Sequence, residues 1–225
     1  MMRSSEPAVT AGHGISASVR RGAGTISSAT PVARIGPNAV IQTGHALAAV
    51  YGRDVARLIY ESAGLAHHLD HPPQDMIDER EPIRLFAAIR KTLPAAEADR
   101  VLAEAGHRTA HYILEYRIPL NARRLLPRLP PAVSARLLAF AITRHAWTFA
   151  GSGRFSASVS GWTRPVVTLT IRDNPLATPG CPWHGAVFKR LFATLAGGVS
   201  TVRHPHCCAK GEGQCVTELV IGAGG

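Results

Sequence analysis

Apolar residues recur every three or four positions through most of the first 150 residues, which is the spacing of amphipathic helices. In the first of these stretches Val40, Leu47 and Tyr51 fall on one side, and Pro94 is suited to the first turn of the longest. The pattern predicts helices over 37–51, 55–64, 81–89, 94–116 and 134–147. Two proline-containing segments, 67–73 with three histidines and 119–131 with several arginines, are predicted to be a solvated connector and a basic linker.

The pattern changes at Gly151, after which apolar residues alternate with polar ones or form β-branched runs. Phe155, Ala157 and Val159 alternate with polar residues, as in a strand that is half exposed to water. The predicted elements of this part are strands over 155–159, 166–172, 199–205 and 214–221 and a helix over 182–196. N-terminal helices followed by a β-β-α-β-β unit predict an α+β fold in which helices cover an antiparallel sheet.

The first 34 residues are rich in Ser, Ala and Gly and show no sustained period, which predicts a flexible tail. Residues 35–225 are then expected to form a single domain, with a helical part over 35–150 and a mixed part over 151–225. The tail lacks the apolar core of a secretory signal, and no apolar run has the roughly 18 residues of a membrane span, so we expect a cytoplasmic location.

The net charge of +10 comes almost entirely from arginine, since Lys91, Lys189 and Lys210 are the only lysines. The arginines are scattered, no aromatic residues are interleaved with them for base stacking, and no nucleic-acid motif is present, so nucleic acid is not an expected partner. One explanation of the excess positive charge is a compositional preference for arginine. The other is an attraction for an anionic membrane surface, an acidic partner or an anionic ligand.

All four cysteines lie between positions 181 and 215, a distribution that indicates metal binding in a reducing compartment. His204 and Cys207 precede a tight loop and Cys215 follows it, while Cys181 precedes the helix at 182–196 and can supply a fourth ligand. Thiolates and an imidazole suit zinc, and four protein ligands leave no open position, so the predicted site is structural. The alternatives are that these residues are only small buried groups, or that Cys208 replaces its neighbour Cys207.

The cysteine pattern, together with Trp162 and the strand pair around it, resembles the 4-vinyl reductase domain family. In that family a zinc ion holds this hairpin, although the sensory members usually have Glu where this chain has His204. The stretches 144–153 and 181–184 are more similar still to the branch that serves bacteriochlorophyll biosynthesis in purple bacteria. The resemblance covers about residues 130–225 in its motifs.

The resemblance implies a step near the reduction of the C8 vinyl group of a magnesium tetrapyrrole. Such a reduction needs an electron source, and the chain has no nicotinamide or flavin motif; Gly22-Ala23-Gly24 lacks the third glycine. We therefore expect a protein that binds a magnesium divinyl tetrapyrrole and presents it to a pathway enzyme. The alternatives are the reductase itself, with borrowed or NADPH-derived electrons, and a small-molecule-sensing module, so enzymatic activity is left open.

Aromatic and histidine side chains near the motifs are candidates for a pocket that holds a flat macrocycle. Imidazole can ligate magnesium and indole can stack on the ring, while Arg144 or Arg154 can meet a propionate. The alternative for each candidate is that its side chain belongs to the hydrophobic core and does not contact a ligand. The sequence does not specify the oligomeric state, and a homodimer is one option. The basic segment 117–128 is a candidate for peripheral contact with a membrane. The candidate ligand-binding residues are His145, Trp147, Phe149, Trp162, Trp183 and His184.

Overall fold

The computed structural model describes residues 32–222. Eight helices are present in this part: α1 Asn38–Tyr51, α2 Arg53–Ser62, α3 His67–Asp70, α4 Arg80–Thr92, α5 Ala95–Tyr116, α6 Leu120–Leu125, α7 Pro131–Arg144 and α8 Pro182–Leu195. Six strands accompany them: β1 Arg34–Ile35, β2 Ile77–Asp78, β3 Arg154–Ser160, β4 Val166–Arg172, β5 Val199–His206 and β6 Gln214–Ile221. The predicted α+β class with an antiparallel sheet covered by helices is therefore confirmed.

The four long strands form one antiparallel sheet in the order β3-β4-β6-β5, and α7 and α8 pack on it. The pairing follows the alternation in the sequence: Val167, Leu169 and Ile171 of β4 are buried, while the residues between them are partly exposed. Strand β5 departs from regular pairing between Arg203 and His206, where the register shifts. This irregularity lies in the stretch that carries the predicted ligand His204.

Helix α5 lies between α1 and α8, and the contact with α8 is close. A Cβ atom added at Gly106 of α5 would lie 2.9 Å from Cβ of Ala186 and nearer still to the carbonyl oxygen of Trp183. Only glycine allows the two backbones to approach this closely. The start of α8, and with it Cys181, is thereby fixed against the helical part of the protein.

Three predictions about local structure are corrected. The solvated connector 67–73 contains helix α3, where Nε2 of His68 lies 2.5 Å from Oε2 of Glu81. The basic linker 119–131 contains α6 and a 3-10 turn over Leu126–Arg128, because Pro119 precedes α6 at its N-cap, where a missing N–H costs no helical hydrogen bond. The helix predicted over 134–147 begins at Pro131 and ends at Arg144, and Trp147 lies in a separate 3-10 turn.

Of the predicted N-terminal tail, the structure describes only residues 32–34. Arg34, placed in the predicted tail, pairs with Asp78 as part of the short β1–β2 ladder. The rest of the predicted tail up to residue 31 lies outside the described residues. The division into a tail over 1–34 and one domain over 35–225 stays a prediction. Among residues 32–222, no helix has the length and hydrophobicity that a membrane span requires.

Candidate functional site

Three of the four cysteines meet at one buried point. Cys181 is the residue before α8, Cys207 follows the end of β5, and Cys215 lies on β6. The Sγ atom of Cys181 is 3.2 Å from that of Cys215 and 3.6 Å from that of Cys207, and all three sulfur atoms lie within 4.8 Å of one another. A disulfide bond is about 2.05 Å long, so these are free thiols.

The spacing of the three sulfur atoms matches what a tetrahedral metal ion requires. With a Zn–S distance of about 2.3 Å, the edge of the tetrahedron is about 3.8 Å, close to the 3.6 Å between Cys181 and Cys207 and somewhat longer than the 3.2 Å between Cys181 and Cys215. The backbone at this point is unusual, because Cys181 adopts a left-handed conformation with φ of 44° and ψ of 49° directly after Gly180. The three buried cysteines therefore form a group that could hold a metal ion.

The surroundings favour a thiolate at Cys215. Its sulfur accepts hydrogen bonds from the Cys181 thiol and, at 3.3 Å, from the backbone N–H of Cys208. The Cys181 hydrogen bond contributes most to lowering the pKa of Cys215 to about 5, while the same contact and burial raise the pKa of Cys181. Binding of a divalent ion by the three sulfur atoms would release the protons of the thiols.

The predicted fourth ligand, His204, is not a member of this group. Its Nδ1 lies 3.2 Å from the hydroxyl of Thr217, and its ring lies against α8 at Gly185, where an added Cβ would be 2.7 Å away. Burial lowers the pKa of His204, so it is neutral at pH 7. A carboxylate completes the surroundings instead: Oε2 of Glu212 accepts the backbone N–H of Cys207 at 2.8 Å.

The six predicted ligand-binding residues divide into a buried and an exposed set. Trp183 and His184 are 4% and 3% exposed, and their rings pack edge to face 4.8 Å apart in the core. Phe149 packs against His184 at 6.3 Å. His145 is exposed at the end of α7, and Trp147 and Trp162 are 60% and 70% exposed. The described structure therefore does not bring the six together as the lining of one pocket.

A different surface has the dimensions of a ligand site. An open groove of about 530 Å³ runs along α5 between Gln42 of α1 and Arg190 of α8. The remaining lining residues all come from one side of α5, because each of them has another member of the set three or four positions away. They are Glu104, His107, Arg108, His111, Tyr112 and Tyr116.

The groove combines imidazole, phenol and guanidinium groups. His107 and His111 are exposed and one turn apart, and the rings of Tyr112 and Tyr116 are tilted with their centroids 5.0 Å apart. The two cations differ. Arg108 is held by Glu104 at 2.7 Å, whereas Arg190, within the described residues, has no carboxylate at ion-pair distance. Sequence reasoning missed this site, although the i,i+4 spacing of its histidines and tyrosines was a visible signal.

Comparison with known proteins identifies the family. The chain is 44% identical over 193 residues to the bacteriochlorophyll synthase 23 kDa chain of Cereibacter sphaeroides, with 83% of this chain and 90% of that protein covered. It is 40% identical over 191 residues to the protein of the same name in Rhodobacter capsulatus, with 83% and 86% covered. The chain belongs to the bacteriochlorophyll synthase 23 kDa chain family. No protein-family model matches the chain.

Membership of the 23 kDa chain family confirms the predicted kinship with bacteriochlorophyll-biosynthesis proteins, and the chain has a matching mass of 23.9 kDa. A 4-vinyl reductase identity is not directly shown by these relatives. The predicted action at C8-vinyl reduction, as carrier or as reductase, is wrong, because both relatives are named as a chain of the synthase. The alternative of a small-molecule-sensing module is wrong for the same reason.

Solved structures with a similar fold are H-NOX domains. A structure from a study of heme distortion in the H-NOX family has a TM-score of 0.56 at 12% identity and covers 83% of this chain and 95% of its own. A doubly substituted H-NOX domain gives a TM-score of 0.54, also at 12% identity and with the same coverage. At this identity the likeness is one of fold, so this chain has an H-NOX-like architecture.

Proposed function

We propose that the protein is an accessory chain of bacteriochlorophyll synthase that holds a magnesium tetrapyrrole with a free carboxylate in the groove along α5. The role in the synthase is supported by the two relatives, which match over most of both chains. The ligand class is supported by one observation above the others: two exposed histidines one turn apart, on a groove that also presents phenol rings and the guanidinium of Arg190, which has no ion-pair partner within residues 32–222.

Each group in the groove has a counterpart on such a ligand. The imidazole of His107 or His111 could ligate the central magnesium. The rings of Tyr112 and Tyr116 can pack on the macrocycle, and Arg190 can pair with the carboxylate. A volume of about 530 Å³ is within the range of sites for ligands of this size.

The fold neighbours support the ligand class without locating a site. The comparison structure concerns heme distortion, and heme is itself a metal tetrapyrrole. At 12% identity no residue role is transferred, so the assignment of the groove depends on the side chains of this chain alone.

We propose further that Cys181, Cys207 and Cys215 hold a structural zinc ion. Their thiolates supply the charge and the spacing, and when bound the ion would fasten α8 to the β5–β6 hairpin. The contacts of His204 do not favour it as the fourth ligand. The predicted set of four ligands, which includes His204, stays an alternative that can be tested. Metal analysis of His204→Ala decides between three and four protein ligands.

Absorption spectroscopy tests the tetrapyrrole site. The purified protein is titrated with bacteriochlorophyllide, the carboxylic acid form of bacteriochlorophyll, and we expect its bands to shift on binding. The double substitution His107→Ala with His111→Ala removes both candidate magnesium ligands and should weaken binding by about tenfold or more, which corresponds to about 1.4 kcal/mol. His71→Ala, which removes an exposed histidine of the 67–73 segment, is the matched control.

Two results would contradict the proposal. Equal affinity of the wild type and both variants would remove the groove as the site. An unchanged spectrum at every concentration would remove the tetrapyrrole altogether. Co-purification of the tagged protein with the synthase tests the accessory role separately, and its absence from synthase preparations would leave that role without support.

A further inference from the structure

One continuous part of the chain has an unusual charge composition. Between Tyr116 and Arg172 there are nine arginines and no lysine, aspartate or glutamate. The same segment, under a third of the described residues, carries seven of their ten exposed large hydrophobic side chains. Exposed apolar groups and uncompensated cations therefore occur together here, whereas most charged surfaces alternate both signs.

The outward side of α7 concentrates these features. Leu137 and Phe140 are 48% and 64% exposed and lie one turn apart. The guanidinium of Arg144 lies 5.9 Å from the centre of the Phe140 ring. These side chains face away from the buried residues of α7, which pack toward the sheet.

Trp162 extends this surface beyond the helix. It lies in the turn between β3 and β4 and is 70% exposed. The guanidinium of Arg136 lies 4.2 Å from the centre of its ring and donates a hydrogen bond to the carbonyl of Gly161 at 3.2 Å. We call the surface formed by Arg136, Leu137, Phe140, Arg144 and Trp162 the arginine–aromatic face.

Among the residues that the structure describes, Arg136 and Arg144 of this face form no ion pair. Within residues 32–222, the ion pairs made by arginines of the acid-free segment are those of Arg123 with Glu115 and Arg154 with Asp173. Arg136 and Arg144 instead lie near aromatic rings; Arg136 is partly exposed and Arg144 is exposed. A focal acidic partner would be expected to match a few charges, whereas this excess of one sign extends over α6, α7 and the β3–β4 turn.

We propose that the arginine–aromatic face docks on an anionic phospholipid surface. Aromatic and aliphatic side chains placed between arginines suit the boundary of headgroups and acyl chains, where the rings enter and the guanidinium groups meet phosphates. The diffuse charge of one sign complements the continuous negative potential of such a surface. This inference is independent of the tetrapyrrole site and of the accessory role in the synthase.

Flotation with lipid vesicles tests the proposal. We expect the full chain to float with vesicles of phosphatidylcholine and phosphatidylglycerol in equal parts, and not with phosphatidylcholine alone. High salt should release it because exposed charges are screened. Flotation with both kinds of vesicle, or with neither, would overturn the proposal. Recovery only with native membranes that contain the synthase would instead assign the face to a protein partner.

Charge-matched variants locate the contact. Arg136→Glu with Arg144→Glu should weaken binding to the mixed vesicles by at least about tenfold, since each arginine near an anionic surface contributes severalfold. Arg53→Glu with Lys91→Glu changes the net charge equally at exposed positions outside the face and should retain binding. Equal loss in both would show attraction by net charge alone and refute a specific face. Circular dichroism confirms that each variant is folded.

The apolar part has its own control and reporter. Phe140→Ser should reduce binding, whereas Leu58→Ser, which removes a side chain 60% exposed on α2, should not. In a Trp147→Phe variant the only tryptophans are Trp162 and the buried Trp183. Vesicles with brominated acyl chains should then quench Trp162 emission on binding, and unchanged emission in bound protein would contradict insertion of this face.

Discussion

The buried imidazole of His184 makes the stability of the protein depend on pH in a defined way. The side chain is 3% exposed, its ring stacks on Phe188 and meets Phe149 and Trp183 edge to face, and its Nε2 has no hydrogen-bond partner among the described residues. Burial is the main cause that lowers the pKa of His184 from 6.5 to about 4. The folded protein therefore keeps this ring neutral.

The direction of the effect follows from proton binding. Between pH 4 and 6.5 the unfolded chain binds a proton at His184 that the folded protein does not, so the free energy of unfolding rises with pH in this window. The contribution is fully present above about pH 6.5 and is lost as the pH falls toward about 4. A difference of about 2.5 units corresponds to roughly 3 kcal/mol over the whole window, of which roughly 2 kcal/mol is lost between about pH 7.5 and about pH 5.

His184→Phe removes the titrating group and keeps an aromatic ring against its neighbours. Urea denaturation at both pH values, with metal content checked at each, should show a pH dependence smaller than that of the wild type by roughly 2 kcal/mol. His45→Gln, at an exposed position on α1, is the control and should retain the wild-type dependence. If His184→Phe and the wild type lose the same stability on acidification, the buried neutral imidazole is not the cause.

Three further changes test other parts of the structure. Gly106→Ala should lower the free energy of unfolding by about 2 kcal/mol or more, because the new Cβ would enter the α5–α8 contact. The control is Gly213→Ala, whose new Cβ meets nothing within 4 Å and should change the free energy of unfolding by under about 0.5 kcal/mol. Equal thermal shifts in the two variants would argue against the close contact. Cys215→Ser should abolish binding of about one zinc per chain, whereas Cys208→Ser should retain it, and iron with sulfide absorption would refute zinc. Tyr60→Phe should cost about 1 kcal/mol in urea denaturation through the lost hydrogen bond to the carbonyl of Val40; an unchanged midpoint would argue against that bond.

Most elements of the fold were predictable because their patterns are local. Helical spacing and strand alternation gave α1, α5, β4 and β6 nearly as the structure has them. The linker prediction over 119–131 was wrong because prolines were interpreted as interruptions. Pro119 and Pro130 stand instead at the N-caps of α6 and α7, positions at which a missing N–H breaks no helical hydrogen bond.

The sites were predictable only in part because they depend on contacts between distant elements. Spacing in the sequence indicated that Cys181, Cys207 and Cys215 could meet, and the structure brings them together. The spacing in the sequence could not show that the register of β5 shifts near His204, or that His204 contacts Thr217 and α8 rather than the sulfur atoms. The groove along α5 requires α1 and α8 to be placed on either side of it, which no local pattern specifies.

The acid-free segment between Tyr116 and Arg172 has a consequence for how the protein responds to its surroundings. Arginine stays protonated at every physiological pH, and the segment contains one histidine, His145. The absence of lysine also leaves no amine that acetylation could neutralise. Acidification thus weakens the core through His184 but leaves the charge of this surface nearly constant. Its attraction for anions is a fixed property, set by ionic strength and by the composition of the opposing surface.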